Sequence, residues 1–260
     1  MVHSVFSMLG ASKMLAGLMR GASWPEVSDF LSPHTLQLIP PGDLRRQLVA
    51  LSKGFLRPQV WHTMRERVRD RLESRFHGLE IGDILIGGPV GQPDSRYREA
   101  RASLLLELYF FQIEHLPEAI LDLRSSSFVC PSMDPHWNPS PLHASWSPEF
   151  IYPLREVYRG FYRDDRALFR RGLAKLDLGP AEHIFLKHFG DGDQRSVKFN
   201  LPHFRQTFHE TFRVCKEEKR HLHPDFIGLG LMLFCLYEHL ETLDVSCDVR
   251  AAYESAVGLH

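Results

Sequence analysis

The sequence predicts a mainly α-helical fold in a single domain, with at most a small β element near residues 81–90. Apolar residues recur at three- and four-residue spacing over most of the chain, the spacing that lines one face of a helix. Prolines and glycines stand between these stretches, where one helix ends and the next begins. A chain of 260 residues also fits one large domain with a single core.

The composition limits the classes of function. Lys and Arg (31) nearly balance Asp and Glu (32), which removes the electrostatic basis for binding nucleic acid. The four cysteines are widely spaced and form no CxxC pair, which favours a reducing compartment. No apolar stretch approaches the roughly 18 to 20 residues of a spanning helix, and no cleavage site follows the N-terminus. We therefore expect a cytoplasmic protein without a transmembrane segment.

Residues 1–80 are expected to form an N-terminal helical region. The apolar residues before Gly21 predict an amphipathic helix that packs on the core, with peripheral membrane contact as the alternative. Helical spacing predicts two further helices, over Pro41–Phe55 and Pro58–Phe76. The second carries arginines interrupted by acidic residues, which is typical of a solvated helix with internal ion pairs. These arginines are Arg65, Arg67, Arg69, Arg71 and Arg75.

Residues 81–260 are expected to form the helical core. The isoleucines from Ile81 to Ile86 predict one short strand, followed by a turn. Tyr97–Leu116 is apolar on nearly every side, as in a helix at the centre of a domain. The segment Ser125–Ser147, with four prolines and two tryptophans, is predicted to be a long irregular loop. Such a loop is functional, poorly ordered or held in place by its aromatic side chains.

Start and stop signals locate the remaining helices. Ser147 predicts a helix start with a capping hydroxyl, and a second helix begins near Asp165, so that the two form a hairpin. Asn200 begins another helix, whose stripe of phenylalanines is predicted to be core. The last strong pattern, Pro224–Leu243, is so apolar that we expect it to be buried.

Fifteen histidines raise the hypothesis of a metal site, because imidazoles and carboxylates one helical turn apart can share an ion. The candidate ligands are Glu107, Glu114, His115, His203 and His209. No ExxH pair completes the pattern of the di-iron carboxylate bundles. Since an unpaired buried carboxylate is costly, we favour structural ion pairs or exposure for Glu107 and Glu114.

The sequence shows no signature of the common catalytic classes. It contains no GxSxG elbow, no protease-type cysteine motif and no GxGxxG that opens a helix. The glycines of IGGPVGQ lack the Lys and the Ser or Thr of a phosphate-binding loop, so a tight turn explains them better.

Several segments are similar in order to those of one known family. ILIGGPV resembles a hinge strand, and YREARASLLLELYFFQIEHL resembles the helix after it. ILDLRS, at Ile120–Ser125, resembles a strand that leads into a DFG segment. With the helices that follow, this order resembles the C-terminal lobe of the UbiB/AarF atypical kinase-like family, associated with ubiquinone biosynthesis. The resemblance covers about the last two thirds of the chain and places Asp122 at the family's metal-binding aspartate.

The chain departs from this family in the segments that phosphoryl transfer requires. MDPHWN, which resembles the catalytic loop, follows ILDLRS instead of preceding it, and the family's KxGQ segment is absent. The resemblance therefore implies a non-catalytic accessory protein that binds a protein partner, a lipid or a small hydrophobic molecule. The competing hypothesis is a helical-bundle metalloenzyme that uses the Glu and His residues above. A third is a structural interaction module that makes contact through its N-terminal helix.

Overall fold

The computed structural model describes residues 38–77, 79–82, 95–129, 136–189 and 196–258. Within these residues the fold is mainly helical, as the sequence predicts. The helices are α1 (Pro41–Leu56), α2 (Pro58–Glu73), α3 (Ser95–His115), α4 (Pro148–Tyr162), α5 (Arg166–Lys175), α6 (Glu182–Phe189), α7 (Leu201–Glu217), α8 (Phe226–Leu243) and α9 (Val249–Val257). The predicted helix before Gly21 lies outside the described residues.

Seven short strands form three small sheets among the described residues. The strands are β1 (Glu80–Ile81), β2 (Glu118–Ile120), β3 (Phe128–Val129), β4 (His136–Trp137), β5 (His143–Ser145), β6 (Ser196–Lys198) and β7 (Ser246–Asp248). One sheet has the order β1-β4-β3, with β1 parallel and β3 antiparallel to β4. The pairs β2-β5 and β6-β7 are antiparallel. β1 lies at the start of the predicted β element, whereas residues 83–94 lie outside the described part of the chain.

Helices α1 and α2 both begin with a proline, where the missing N–H leaves no helical hydrogen bond unmade. The prediction for the arginines of α2 is confirmed for Arg69, which forms ion pairs within the helix to Glu66 and Glu73. Arg67 instead reaches Glu118 on β2 at 2.8 Å, and Arg75 donates to the carbonyl oxygen of Ser255. These two arginines therefore fasten α2 to the rest of the domain.

Helices α3 and α8 lie at the centre of the core, and both are buried on nearly all sides. Arg155 on α4 donates to the carbonyl oxygens of Ile113 and Leu116, which lie at the C-terminal end of α3. α8 is the one helix among the described residues with the length and apolar character of a membrane span, and 72 % of it is buried inside the fold. It therefore has the place of a core helix, and one hydrophobic core includes residues from Leu38 to Ala256.

The prediction of a long irregular loop over Ser125–Ser147 is wrong for the part that the structure describes. This segment carries a 3₁₀ turn at Ser125–Ser127 and the strands β3, β4 and β5. Trp137 is fully buried, stacks on Phe128 at 5.5 Å between ring centroids, and donates its indole N–H to the carbonyl oxygen of Asp122. Of the three alternatives for this segment, the described part is held in place by its aromatic side chains.

Helices α4 and α5 form the predicted hairpin, which packs closely because two of its residues are glycines. A Cβ on Gly160 would lie 2.3 Å from the backbone nitrogen of Phe169, and one on Gly172 would lie 2.7 Å from the carbonyl oxygen of Pro153. The cap predicted near Asp165 is confirmed, since its carboxylate accepts from the backbone N–H of Leu168 at 2.9 Å. The close approach of α4 and α5 builds one wall of the cavity described below.

The start of α4 differs from the prediction in one respect. Ser147 is the N-cap residue, but its hydroxyl does not cap the helix. It donates to a carboxylate oxygen of Asp225 at 2.6 Å, and its backbone N–H donates to the same oxygen at 2.9 Å. The predicted capping role is therefore wrong, because a buried carboxylate from the N-cap of α8 competes for the hydroxyl.

Candidate functional site

Asp122, the residue that the resemblance marks as metal-binding, is fully buried two residues after the end of β2. Its Oδ1 accepts from Nε of Arg124 at 2.7 Å, and its Oδ2 accepts from Nη2 of Arg124 at 2.9 Å. The backbone N–H of Ser140 also donates to Oδ2, at 2.9 Å. Both carboxylate oxygens are thus engaged by a bidentate guanidinium, the strongest of the common ion-pair geometries.

Burial alone would raise the pKa of Asp122, but the hydrogen bonds and the positive charge of Arg124, with the N–H of Ser140, hold that pKa below its ordinary value. Asp122 is therefore an anion at neutral pH, and Arg124 occupies the positions from which a cation would bind the carboxylate. In this structure Asp122 holds the backbone after β2 in place through its hydrogen bonds to Arg124 and Ser140.

A second buried group, His239 on α8, faces the same segment. Its Nδ1 lies 2.9 Å from the carbonyl oxygen of Leu123, and Nε of Arg101 donates to its Nε2 at 3.3 Å. Burial, with the neighbouring charge of Arg101, lowers the pKa of His239 to about 3. The imidazole is therefore neutral, with its proton on Nδ1, since Nε2 accepts from a guanidinium that cannot give up its charge.

Glu238 completes what we call the polar cluster, defined as Arg101, Asp122, Arg124, Glu238 and His239. Its carboxylate accepts from the backbone N–H and the hydroxyl of Ser125 at 2.9 and 2.8 Å. Two members, Glu238 and His239, thus fasten the segment between β2 and β3 to α8. Outside helices and sheets, buried backbone N–H and C=O groups need hydrogen-bond partners from side chains. Glu238 and His239 supply such partners to this segment.

The two glutamates predicted as metal ligands each have protein partners. Glu114 is buried, and its carboxylate accepts from Arg159 at 2.7 Å and from the hydroxyl of Tyr253 at 3.0 Å. Glu107 accepts from the hydroxyls of Ser103 and Ser255 at 3.0 and 2.8 Å. For Glu114 the structure gives the ion pair that we favoured from the sequence, and this pair ties α3 to α4.

The predicted histidine ligands lie on different helices. His115 lies on α3 with its Nε2 3.1 Å from the carbonyl oxygen of Ala256 and its ring against Phe111. His203 and His209 lie on α7, the first half-buried and the second exposed. Among the described residues, no group of three or more His, Cys, Asp or Glu side chains is placed to hold a metal ion. The metal site stays a prediction from the sequence, and its proposed ligands do not converge.

One group of catalytic residue types was missed from the sequence, because its members are distant along the chain. The Ser147 hydroxyl lies 3.5 Å from Nε2 of His223, whose Nδ1 lies 3.7 Å from Asp225. The roles are not those of a catalytic triad. Nδ1 of His223 accepts from the backbone N–H of Asp225, so Nε2 carries the proton and cannot take one from a serine. These hydrogen bonds connect the N-terminal end of α4 to the N-terminal end of α8.

The sequence also did not predict a cavity of about 60 Å³, which we call the apolar cavity. Helices α4, α5, α6, α7 and α8 surround it. Its lining is apolar with three exceptions, and it consists of Leu154, Val157, Tyr158, Leu173, Leu176, Leu178, Phe185, Thr207, Phe208, Thr211, Phe212, Leu222, Phe226, Leu229 and Leu233. None of these residues is ionisable at neutral pH.

The hydroxyls of the two threonines in this lining already have backbone partners. The hydroxyl of Thr207 donates to the carbonyl oxygen of His203 at 3.0 Å, and that of Thr211 donates to the carbonyl oxygen of Thr207 at 2.9 Å. Phe185, Phe208 and Phe212 are only half-buried, so the cavity wall reaches the surface between α6 and α7.

A second cavity, of about 40 Å³, shares Tyr158 and Leu233 with this lining, and we call it the tyrosine cavity. Four tyrosines contribute to its walls, together with apolar residues of α3, α8 and the β6 region. These are Tyr109, Tyr158, Tyr162 and Tyr237. Burial raises the pKa of all four, so they are neutral hydroxyls at any physiological pH.

Comparison with protein-family models finds no family that matches this chain, and comparison with curated proteins finds no match either. The side chains of the polar cluster and of the two cavities are therefore the grounds on which a function can be assigned.

Proposed function

We propose that this protein is a non-catalytic binding protein that takes a small hydrophobic ligand into the apolar cavity. The observation that carries the proposal is the lining of that cavity, which is apolar and contains no charged side chain. Binding pockets for small molecules are concave and mostly apolar, and they often lie between the helices of a bundle. The half-buried phenylalanines of α6 and α7 give the ligand a way in.

The energetics of the empty cavity support the same proposal. Unfilled space of about 60 Å³ in a core costs roughly 1 to 2 kcal/mol, because the lining atoms lack packing partners. Water gains little there, since a buried water needs two to four polar partners and the threonine hydroxyls are committed to backbone carbonyls. An apolar ligand regains the lost contacts without displacing bound water.

The proposal keeps the UbiB-like, non-phosphorylating role that the sequence suggested, and the state of Asp122 supports it. Phosphoryl transfer needs metal ions held by exposed carboxylate oxygens. Both oxygens of Asp122 accept from Arg124, which would have to leave before a metal ion could bind. A buried ion pair of this kind is expensive to break.

The test is a titration with xenon, an uncharged atom small enough for the apolar cavity, followed by xenon NMR. We expect saturable binding at one xenon atom per chain. In Leu229→Phe the added ring occupies the apolar cavity, so we expect xenon affinity to fall at least tenfold. The matched control is Leu240→Phe, the same change on the same helix at a buried position outside both cavities.

Two results would overturn the proposal. One is an absence of saturable xenon binding in the wild-type protein. The other is equal xenon affinity in wild-type protein and in folded Leu229→Phe, which would place the xenon atom elsewhere. Circular dichroism and the thermal unfolding transition establish that each variant is folded before it is titrated.

A further inference from the structure

The junction between α1 and α2 exposes a group of large apolar side chains. Of the four large apolar residues that are exposed in the described part of the chain, three lie here. They are Val49 and Leu56 on α1 and Val60 in the first turn of α2, and Leu56 is 72 % exposed. Single exposed apolar residues are ordinary, whereas several on one surface indicate a site that binds a partner.

Helix geometry places the exposed residues of α1 on one stripe. Val49 and Leu56 are seven residues apart, so they lie within about 20° of each other around the helix axis. Arg45, Arg46 and Lys53 are also exposed and lie within about 60° of Val49. The other side of α1 carries the leucines that pack on the core, Leu44, Leu48 and Leu51.

The cations on this stripe outnumber the acids beside them. Residues 41–62 contain one acidic residue, Asp43, and four Lys and Arg residues. These are Arg45, Arg46, Lys53 and Arg57. Asp43 accepts from Nη2 of Arg46 at 2.9 Å. In the described part of the chain, Arg45, Lys53 and Arg57 form no ion pair, and all three are exposed. This surface is therefore positive, although the whole chain has a formal net charge of −1.

Helix α5 is equally basic but lacks both properties. It carries four Lys and Arg residues, and three of them pair with acids. Arg170 pairs with Glu182 at 2.9 Å. Arg171 and Lys175 both pair with Glu156, at 3.3 and 2.7 Å. None of the exposed large apolar side chains in the described residues lies on α5. The combination of cations without ion pairs and exposed apolar side chains therefore distinguishes the junction of α1 and α2.

This combination is complementary to a bilayer that contains anionic lipids. Apolar side chains of an interfacial helix enter the boundary between head groups and acyl chains, while Lys and Arg reach the phosphates on their long stems. Each Lys or Arg near such a surface tightens binding about fivefold. A nucleic acid is bound mainly through cations at its phosphates, so it would leave the exposed leucine and valines without a role.

We propose that this surface docks the protein on membranes that contain anionic lipids, with α1 parallel to the membrane plane. The junction surface consists of Arg45, Val49, Lys53, Leu56, Arg57 and Val60. None of these residues lines the apolar cavity, so the docking does not depend on a ligand there.

The test is sedimentation of the whole chain with vesicles of phosphatidylcholine that contain about 30 % phosphatidylserine. We expect binding at about 0.1 M salt and at least tenfold weaker binding to vesicles of phosphatidylcholine alone. At about 1 M salt the Debye length falls to roughly 3 Å, so we expect most of the binding to be lost.

Two variants remove the two components of the junction surface separately. Lys53→Gln with Arg57→Gln removes two exposed cations, and we expect vesicle affinity to fall at least tenfold. Leu56→Gln removes a largely exposed apolar side chain, and we expect affinity to fall about fivefold. Because these side chains are exposed, both variants should keep the wild-type circular dichroism spectrum and unfolding temperature.

The matched controls make the same changes on another surface. Arg163→Gln with Arg166→Gln removes two exposed cations where α4 meets α5. Tyr152→Gln removes an exposed apolar ring on α4. Both controls should bind the vesicles within about twofold of wild type.

Three results would overturn the inference. One is an absence of binding, or equal binding to vesicles with and without phosphatidylserine. The second is wild-type affinity in the double variant of Lys53 and Arg57, which would place the contact elsewhere in the chain. The third is wild-type affinity in Leu56→Gln, which would reduce the contact to attraction between charges, as for a nucleic acid. Since none of these results concerns xenon binding, the proposed function stands or fails separately.

Discussion

The polar cluster and the apolar cavity lie against the same helix, α8, and they differ in how completely their groups are matched. On the side of the polar cluster, Asp122, Glu238 and His239 each have short hydrogen bonds to named partners. On the side of the apolar cavity, large side chains of five helices leave about 60 Å³ unfilled. The carboxylates and the imidazole on one side of α8 therefore have hydrogen-bond partners, whereas the side chains on the other side are incompletely packed.

This difference indicates where ligand binding can occur at low cost. Charged groups that already have excellent partners must lose them before they bind anything else, and each such loss is costly. Apolar walls around empty space gain contacts when a ligand enters. The residue types that first attract a functional interpretation, Asp122 and the glutamates of α3, therefore stabilise the fold, and the residues without reactive groups form the proposed site.

The largest predicted effect tests the polar cluster. Arg124→Met leaves the Asp122 carboxylate buried without its counter-ion, and we expect the free energy of unfolding at pH 7 to fall by about 3 to 5 kcal/mol. Urea denaturation followed by circular dichroism measures it. The double variant Asp122→Asn with Arg124→Met removes the charge but keeps an acceptor for the N–H of Ser140, so we expect it to recover at least half of the loss.

The same ion pair has a predicted pH dependence. The folded pKa of Asp122 is depressed, so its stabilising contribution is present above the unfolded pKa, near 3.9, and is lost as the pH falls through the folded value. In Arg124→Met the carboxyl is buried without a partner and takes up a proton more readily. The stability difference between wild type and variant should therefore narrow between pH 7 and pH 4. A difference that stays constant would contradict the assignment.

The second prediction concerns His239, whose folded pKa of about 3 lies below the unfolded value of about 6.5. The unfolded chain takes up a proton as the pH falls below 6.5 and the folded chain does not, so stability is lost in that window. From pH 7 to pH 5 this amounts to about 2 kcal/mol. In His239→Gln, whose amide can still donate to Leu123 and accept from Arg101, the fall should be smaller by that amount.

The third prediction contrasts two equivalent substitutions on α8. At Leu240 the core is filled, so Leu240→Phe should lower the free energy of unfolding by about 1 to 3 kcal/mol through overpacking. At Leu229 the larger ring enters the apolar cavity, and the change should stay within about 1 kcal/mol of wild type. Thermal and urea unfolding compare the two variants. Equal losses would mean that the space beside Leu229 cannot accept a ring.

The smallest predicted effect separates the two glutamates of α3. Glu114→Gln keeps an acceptor for Tyr253 but loses the charge opposite Arg159, which is partly exposed, so we expect a loss of about 1 kcal/mol. Glu107→Gln keeps acceptors for Ser103 and Ser255 and should change stability by less than about 0.5 kcal/mol. A larger effect at Glu107 than at Glu114 would reverse the roles that we assign to them.

Sequence patterns predicted the helices well because their signals are local. The apolar spacing of α1 and α2, and the caps Asp165 and Asn200, depend on residues within one or two helical turns. The short strands of Ser125–Ser147 were not predicted, since β4 and β5 pair with partners outside this segment that only the tertiary fold brings close. In the β2-β5 pair, Ile120 lies opposite His143, which is 23 residues later, and in the β1-β4 pair Ile81 lies opposite Trp137.

The apolar cavity could not be predicted for a different reason. Helical spacing identifies which side chains face the core, and the stripe of Phe204, Phe208 and Phe212 was assigned to the core in this way. It does not show whether the facing side chains fill the space between them, because that depends on how five helices pack together. The hydrogen bond between the hydroxyls of Tyr109 and Tyr158 could not be predicted for the same reason, because these residues are 49 apart along the chain.

The most direct measurement is diffraction from crystals of the protein pressurised with xenon, an uncharged atom that binds in apolar cavities open to exchange. We predict a xenon site between α4, α5, α7 and α8, in contact with Leu173, Phe226 and Leu229, and its loss in Leu229→Phe. Crystals that bind xenon elsewhere in the protein but not at this position would contradict the proposal that the apolar cavity is the ligand site.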